Sequence, residues 1–187
     1  AANGATTLNV PLLIEREGRK SDLLFAGTLT PGKAGLVLDA NLASANFVVA
    51  DAQVLAGVAP ASAGGAAGPE TAPPWAGVSG RLVVALKKVV YFDAVVASDI
   101  TGTVTLEAGA AKLVNFRAGL GEGADAKVNG GVTFNPKSAT PYALAAELAV
   151  NEFDPAPLFR ALNPGQPVTV EGKFSVASQL GGHAAHL

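Results

Sequence analysis

Cysteine is absent from the sequence, which removes disulfides, thiolate nucleophiles and cysteine-ligated zinc together and leaves the compartment open. Histidine is almost absent. The two that exist, His183 and His186, stand three apart in a Gly- and Ala-rich stretch with no carboxylate near them, so they read as unstructured tail rather than as metal ligands. No further histidine is available as a base, and a Ser-His-Asp arrangement therefore has nothing to form from. Charge is scarce too, at 15% of residues against about a quarter in an ordinary domain. The 13 Lys and Arg against 15 Asp and Glu are scattered without runs, so there is no basic stripe and nucleic acid is not an expected partner. Long apolar runs are missing as well. The stretch from Leu82 to Leu86 is among the longest and falls far short of the roughly 18 residues that a membrane span requires. Methionine is absent and the chain opens at Ala1, so the residues are expected to be a mature chain or a piece cut from a longer one.

What is present is small, apolar and periodic. Hydrophobic residues make up 49%, and 22 Gly and 12 Pro punctuate them. Apolar residues recur at every second position, the period of a strand with one dry face. Ala126, Val128, Gly130, Val132 and Phe134 alternate with Lys127, Asn129, Gly131 and Thr133. The same alternation runs through Leu36, Leu38, Ala40 and Leu42, through Tyr142, Leu144, Ala146, Leu148 and Val150, and through Val168, Val170, Gly172, Phe174 and Val176. Segments near 8–14, 23–30, 81–91, 94–107 and 112–120 bring the expectation to between nine and eleven strands. Turns are expected at Pro31-Gly32, Gly119 to Gly121 and Asn135-Pro136.

Residues 59–74 are small, nearly uncharged and rich in Ala, Gly and Pro, too poor in apolar area to offset the entropy of ordering, and are expected to form a flexible loop or linker. A short helix is expected over 154–162, with Asp154 as cap, Pro155 in the first position and Asn163-Pro164-Gly165 as the stop. A shift of 106 residues lays Leu36, Leu38, Ala40, Leu42 and Phe47 on Tyr142, Leu144, Ala146, Leu148 and Phe153, an internal repeat. Val170 to Phe174 echoes the segment at Val128 and starts what reads as a third copy.

Motifs that carry chemistry are few. Gly119 to Gly123 reads as a β-turn rather than a phosphate loop, because a strand follows where a phosphate site needs a helix. Glu15 with Glu17, or Asp93 with Asp99, are the only local carboxylate pairs for acid-base work on a sugar, and all read as solvated. Trp75, after Pro73-Pro74, reads as an anchor at the end of the linker.

Trp75 to Gly80, Ile100 to Val104, Leu113 to Gly121, Gly130 to Phe134, Pro141 to Leu144, Phe153 to Leu158 and Val170 to Phe174 together resemble the AsmA-like family. Gly18 to Asp22 is similar to a loop common in that family. The resemblance implies a Gram-negative-type envelope protein, anchored in the inner membrane by a helix outside these residues and extending through the periplasm. Its strands would form a rolled groove with an apolar interior, related to bridge-like lipid transfer proteins.

The expected fold is all-β and mainly antiparallel, a long curved sheet rolled into a groove or half-barrel with one or two short helices. Residues 1–58 would be a first repeat, 59–74 the linker, 75–182 a second repeat and 183–187 a tail. The expected role is non-enzymatic, in phospholipid transport or outer-membrane assembly, with phospholipid acyl chains as partners and no cofactor or metal. Leu38, Leu42, Phe134, Leu144, Leu148 and Phe174 are the lipid-facing candidates. The alternative is a structural β-sandwich that binds envelope protein partners.

Overall fold

Residues alternating between apolar and polar favour extended backbone, and most of the described residues take it. The computed structural model describes residues 4–16, 18–51, 71–91, 95–168 and 171–187. Among the described residues there are ten strands: β1 (Thr6–Arg16), β2 (Arg19–Gly32), β3 (Gly35–Ser44), β4 (Phe47–Val48), β5 (Val78–Tyr91), β6 (Val95–Glu107), β7 (Ala110–Gly121), β8 (Ala124–Phe134), β9 (Tyr142–Phe153) and β10 (Phe174–Ala184). A helix, α1 (Ala156–Leu162), follows β9, and a helical turn starts at Val49. All the strands join one open sheet in the order β1-β2-β3-β5-β6-β7-β8-β9-β10, with β4 beside β5 beyond the end of β3. The fold is thus the expected all-β one, mostly antiparallel and not closed, with two short helices. The strands do not divide into two facing sheets, so a sandwich is not the architecture seen here.

Only β3 and β4 pair with β5 in parallel. In a parallel pair the second strand starts at the same end as the first, and β5 accordingly begins with Val78 beside Leu36 at the start of β3. Of the loop expected over 59–74, residues 59–70 lie outside the described part of the chain. Its end is anchored as anticipated: the Trp75 indole N–H donates to the Glu107 carbonyl at 3.1 Å, and its ring meets Tyr142 edge-on at 6.5 Å.

Three bulges with a residue at positive φ curl the sheet, and the β7–β8 register shifts once more between Gly119 and Gly121. The register slips at Asp99 in β6, at Asn115 in β7 and at Glu152 in β9, and each of these residues has a positive φ (48°, 54° and 49°). A bulge adds a residue to one strand and so bends and twists it. Asn115 tolerates the left-handed backbone better than most residues, and its N–H is satisfied by the Asn129 side chain at 2.6 Å. The curl shows in two contacts. Trp75 is bonded at the end of β6 yet touches Tyr142 on β9, strands that would lie about 14 Å apart in a flat sheet. At the opposite end α1, which follows β9, packs against β6.

The repeat is visible as structure. β3 and β9, related by the shift of 106, each lead into a helix at the same end of the sheet, the turn at Val49 and α1. The copies then diverge, since β5 returns parallel to β3 whereas β10 returns antiparallel to β9. Pairing therefore depends on what lies beyond the helix, which the shared strand pattern does not encode.

Two expectations shift. The last strand was expected over 168–176, but β10 runs Phe174–Ala184 and takes in His183, which the composition placed in a tail. Pairing with β9 supplies the backbone partners that the Gly- and Ala-rich segment could not supply by itself. Thr169 and Val170 lie outside the described residues, and with them the start of the third copy. The helix begins at Ala156, with Asp154 accepting the Ala156 N–H at 2.9 Å and Asn163 closing the far end. The turn after β7 falls on Glu122 and Gly123, both at positive φ, one step past the glycines that predicted it, and a strand follows it as anticipated.

Candidate apolar binding face

Directly paired residues share a face of a sheet, so the register sorts every side chain. One face carries Leu8, Val10, Leu12 and Ile14 of β1 opposite Gly27, Phe25, Leu23 and Ser21 of β2. It continues through Leu36, Leu38, Ala40 and Leu42 of β3 to Val78, Gly80, Leu82 and Val84 of β5. Leu106, Val104, Gly102 and Ile100 of β6 follow, then Ala111, Leu113 and Phe116 of β7. Val132, Gly130 and Val128 of β8 lead to Leu144, Ala146 and Leu148 of β9, and Gly182, Leu180 and Ser178 of β10 complete it. The result is one apolar surface spanning the whole sheet. The charges that alternation places on it, Arg16, Arg19 and Lys88, stand toward the helix-bearing end.

Three cross-strand ion pairs lie on the opposite face. Glu15 meets Lys20 at 2.7 Å, Asp39 meets Arg81 at 2.9 Å and Glu107 meets Lys112 at 3.0 Å, all across neighbouring strands. The Arg81 guanidinium, hydrogen-bonded to Asp39 through two nitrogens, holds that carboxyl below its ordinary value, and Asp39 in turn raises Arg81. Leu13, Leu24, Val37 and Val83 are also exposed on this face. Interspersed charges break them up, whereas the apolar face has none across its middle. Of the carboxylate pairs considered for acid-base chemistry, Glu17 and Asp93 lie outside the described residues, Glu15 is paired with Lys20, and Asp99 occupies the bulge of β6.

All six lipid-facing candidates fall on the apolar face: Leu38 and Leu42 on β3, Phe134 on β8, Leu144 and Leu148 on β9, and Phe174 on β10. Leu144 is 37% exposed and Phe174 47%, so the face is partly uncovered. Leu180, 58% exposed, belongs to the same surface and was missed because its strand was placed too early. The alternation Phe174, Val176, Ser178, Leu180 was the signal that could have found it. Val104, Leu113, Val132, Leu144 and Leu180 line a hollow of about 580 Å³ on this face, and Asn129, Thr133, Glu147 and Gln179 line one of about 570 Å³ on the opposite face.

Both ends of the face are dressed. At the helix-bearing end Val48, Ser21 and Asp51 are buried, Ser21 donates to Asp51, and the Val48 N–H donates to Ser21 at 2.9 Å. The Ser-Asp pair of the family-like loop thus has a structural role here, because Asp22 accepts from Ala45 and Asn46 where β3 breaks into β4. The Ala45 N–H foremost, with that of Asn46, pulls the Asp22 carboxyl below its ordinary value while partial burial opposes it. At the other end Tyr142 is wholly buried between Trp75 and Phe134. Between these ends no second layer covers the sheet among the described strands.

Among the described residues no three His, Asp or Glu side chains come together, and no helix is long and apolar enough to cross a membrane. No protein-family model, curated protein or solved structure matches the chain.

Proposed function

We propose that this chain is a non-enzymatic lipid-handling module whose sheet holds acyl chains against its apolar face. The observation that carries the reading is the one-sided sorting of side chains: nine strands contribute, and mid-face charge is confined to the opposite side. Apolar surface left in water costs about 25 cal/mol per Å², so an acyl chain that removes a few hundred Å² from water is held by several kcal/mol without a polar contact. Such a face discriminates poorly among lipids and suits movement along a groove. The resemblance to AsmA-like proteins supports the setting: a periplasmic region tethered to the inner membrane by a segment outside these residues, serving phospholipid transport or outer-membrane assembly.

Native mass spectrometry of protein prepared without detergent tests the reading. Lipid-sized adducts are expected on the parent chain and are expected to vanish from Leu144→Asp/Leu180→Asp, which charges the apolar face. Val37→Asp/Val83→Asp charges exposed apolar residues of the polar face and should keep them. A parent chain free of lipid, or equal loss from both variants, would overturn the proposal.

A further inference from the structure

The apolar middle of the face cannot tell one acyl chain from another, so any selectivity has to come from its margins, and the two margins differ. The register places Glu15, Asp22, Asp39, Glu107, Asp125 and Glu147 on the polar face, so that outside the bulges at Asp99 and Glu152 no described strand turns a carboxylate toward the apolar side. Cations are not sorted in the same way. Arg16, Arg19 and Lys88 lie on the apolar face, all of them at its helix-bearing end. At the opposite end the same face finishes in Thr6, Pro31, Leu36, Val78, Leu106 and Phe134, without a charge. Of the carboxylates beyond the strands at the helix-bearing end, Asp51 is 3% exposed and takes the Ser21 hydroxyl, Asp154 takes the Ala156 N–H, and Glu17 lies outside the described residues.

Resting on the acyl-chain reading above, we infer that this face selects anionic lipids, with the headgroup phosphate at the Arg16, Arg19 and Lys88 margin and the acyl chains reaching inward. Each end of that margin has apolar residues next inward on the same face. Ile14 and Leu12 follow Arg16 along β1, and Leu86 and Val84 follow Lys88 along β5, at about 7 Å per same-face step. A phosphate at the margin therefore has its acyl chains over apolar side chains within one or two steps. Arg16 and Arg19 stand directly opposite each other across the first hairpin. Arg offers a planar fork of donors that matches phosphate oxygens, and Lys a compact point charge. A headgroup without net charge gains less there, because its own ammonium meets the same cations. Each exposed charge pair changes affinity by a factor of up to about five, so the margin tips the choice between lipids while the apolar middle supplies the hold.

Native mass spectrometry of the protein incubated with an equal mixture of phosphatidylglycerol and phosphatidylcholine of identical acyl chains reads the choice as the ratio of the two adducts. The parent chain should favour phosphatidylglycerol by about threefold or more. Arg16→Gln/Arg19→Gln/Lys88→Gln should bring the ratio close to one while keeping the total adduct. Lys20→Gln/Lys112→Gln/Lys127→Gln removes the same charge from the polar face and should leave the ratio unchanged. Far-UV circular dichroism checks that both variants keep their strands. Glycerol phosphate, an anionic headgroup without acyl chains, should form no adduct; an adduct as strong as the lipid's would make the margin a free-phosphate site and overturn the proposal. Equal adducts of both lipids on the parent chain, or equal shifts in the two variants, would overturn it as well and leave the acyl-chain reading standing. A parent chain that takes up neither lipid would sink that reading and this inference with it.

Discussion

Asp22, Gly102 and Tyr142 illustrate how single positions hold a sheet that lacks a second layer. Asp22 accepts the N–H groups left free where β3 gives way to β4, a capping role of about 1–2 kcal/mol. Its folded-state pKa lies below the ordinary 3.8, chiefly through the Ala45 N–H, so the stabilisation is present above that value and is lost as pH falls through the folded value. Asp22→Ala should lower urea stability by about 1–2 kcal/mol at pH 7, with the gap to the parent closing below pH 3.8. Gly102 lies under the Phe116 ring, and a Cβ there would come within 2.5 Å of it. Gly102→Ala should push the ring aside at a cost of about 1–3 kcal/mol, read as a lowered melting temperature. Among the described residues Tyr142 is the largest wholly buried side chain, and truncation to Ala should remove about 3–5 kcal/mol and red-shift the emission of Trp75, the only tryptophan.

Elements are held by their neighbours more than by propensity. α1 has seven residues, too few to persist alone in water, and it survives by closing one end of the sheet. There Pro157 and Leu158 line a hollow with Val96, Leu120 and Phe153. Leu158→Ala should release the helix: amide exchange over 156–162 should rise markedly while Trp75 emission, which reports the opposite end, stays unchanged. Most strands were legible because a period of two survives any tertiary context that buries one face. β10 was misplaced because its second half, Leu180 to Ala184, carries glycine and alanine where a strand former was looked for. Its pairing comes from β9, which contributes a full row of donors and acceptors along Tyr142 to Val150. The bulges were equally hidden. Asp99, Asn115 and Glu152 share nothing in composition with a bend except that Asn and Asp tolerate positive φ, and two of the three were read as plain strand positions.

At the scale of the whole molecule, a single layer of ten strands buries little for its length. Among the described residues the buried apolar side chains are mostly alanines and valines with one tyrosine. A compact chain of 187 residues would unfold with a heat-capacity change of about 2.2–2.8 kcal/mol/K. Calorimetry of the lipid-free protein should give a clearly smaller value, since less apolar surface becomes newly wet. A value inside that range would mean that the apolar face is covered in solution by a second copy or by the chain itself.

Alternation and composition by themselves determined that this chain is all-β, that each strand has one dry side, and that Leu38, Leu42, Phe134, Leu144, Leu148 and Phe174 belong to such sides. These are local properties, set by the geometry of extended backbone. The tertiary structure alone decided that all the dry sides share one face of one open sheet, that bulges at Asp99, Asn115 and Glu152 curl it, and that β10 runs on to Ala184 beside β9. Register and strand order are fixed by hydrogen bonds between residues distant in sequence, and no period within a single strand carries that information.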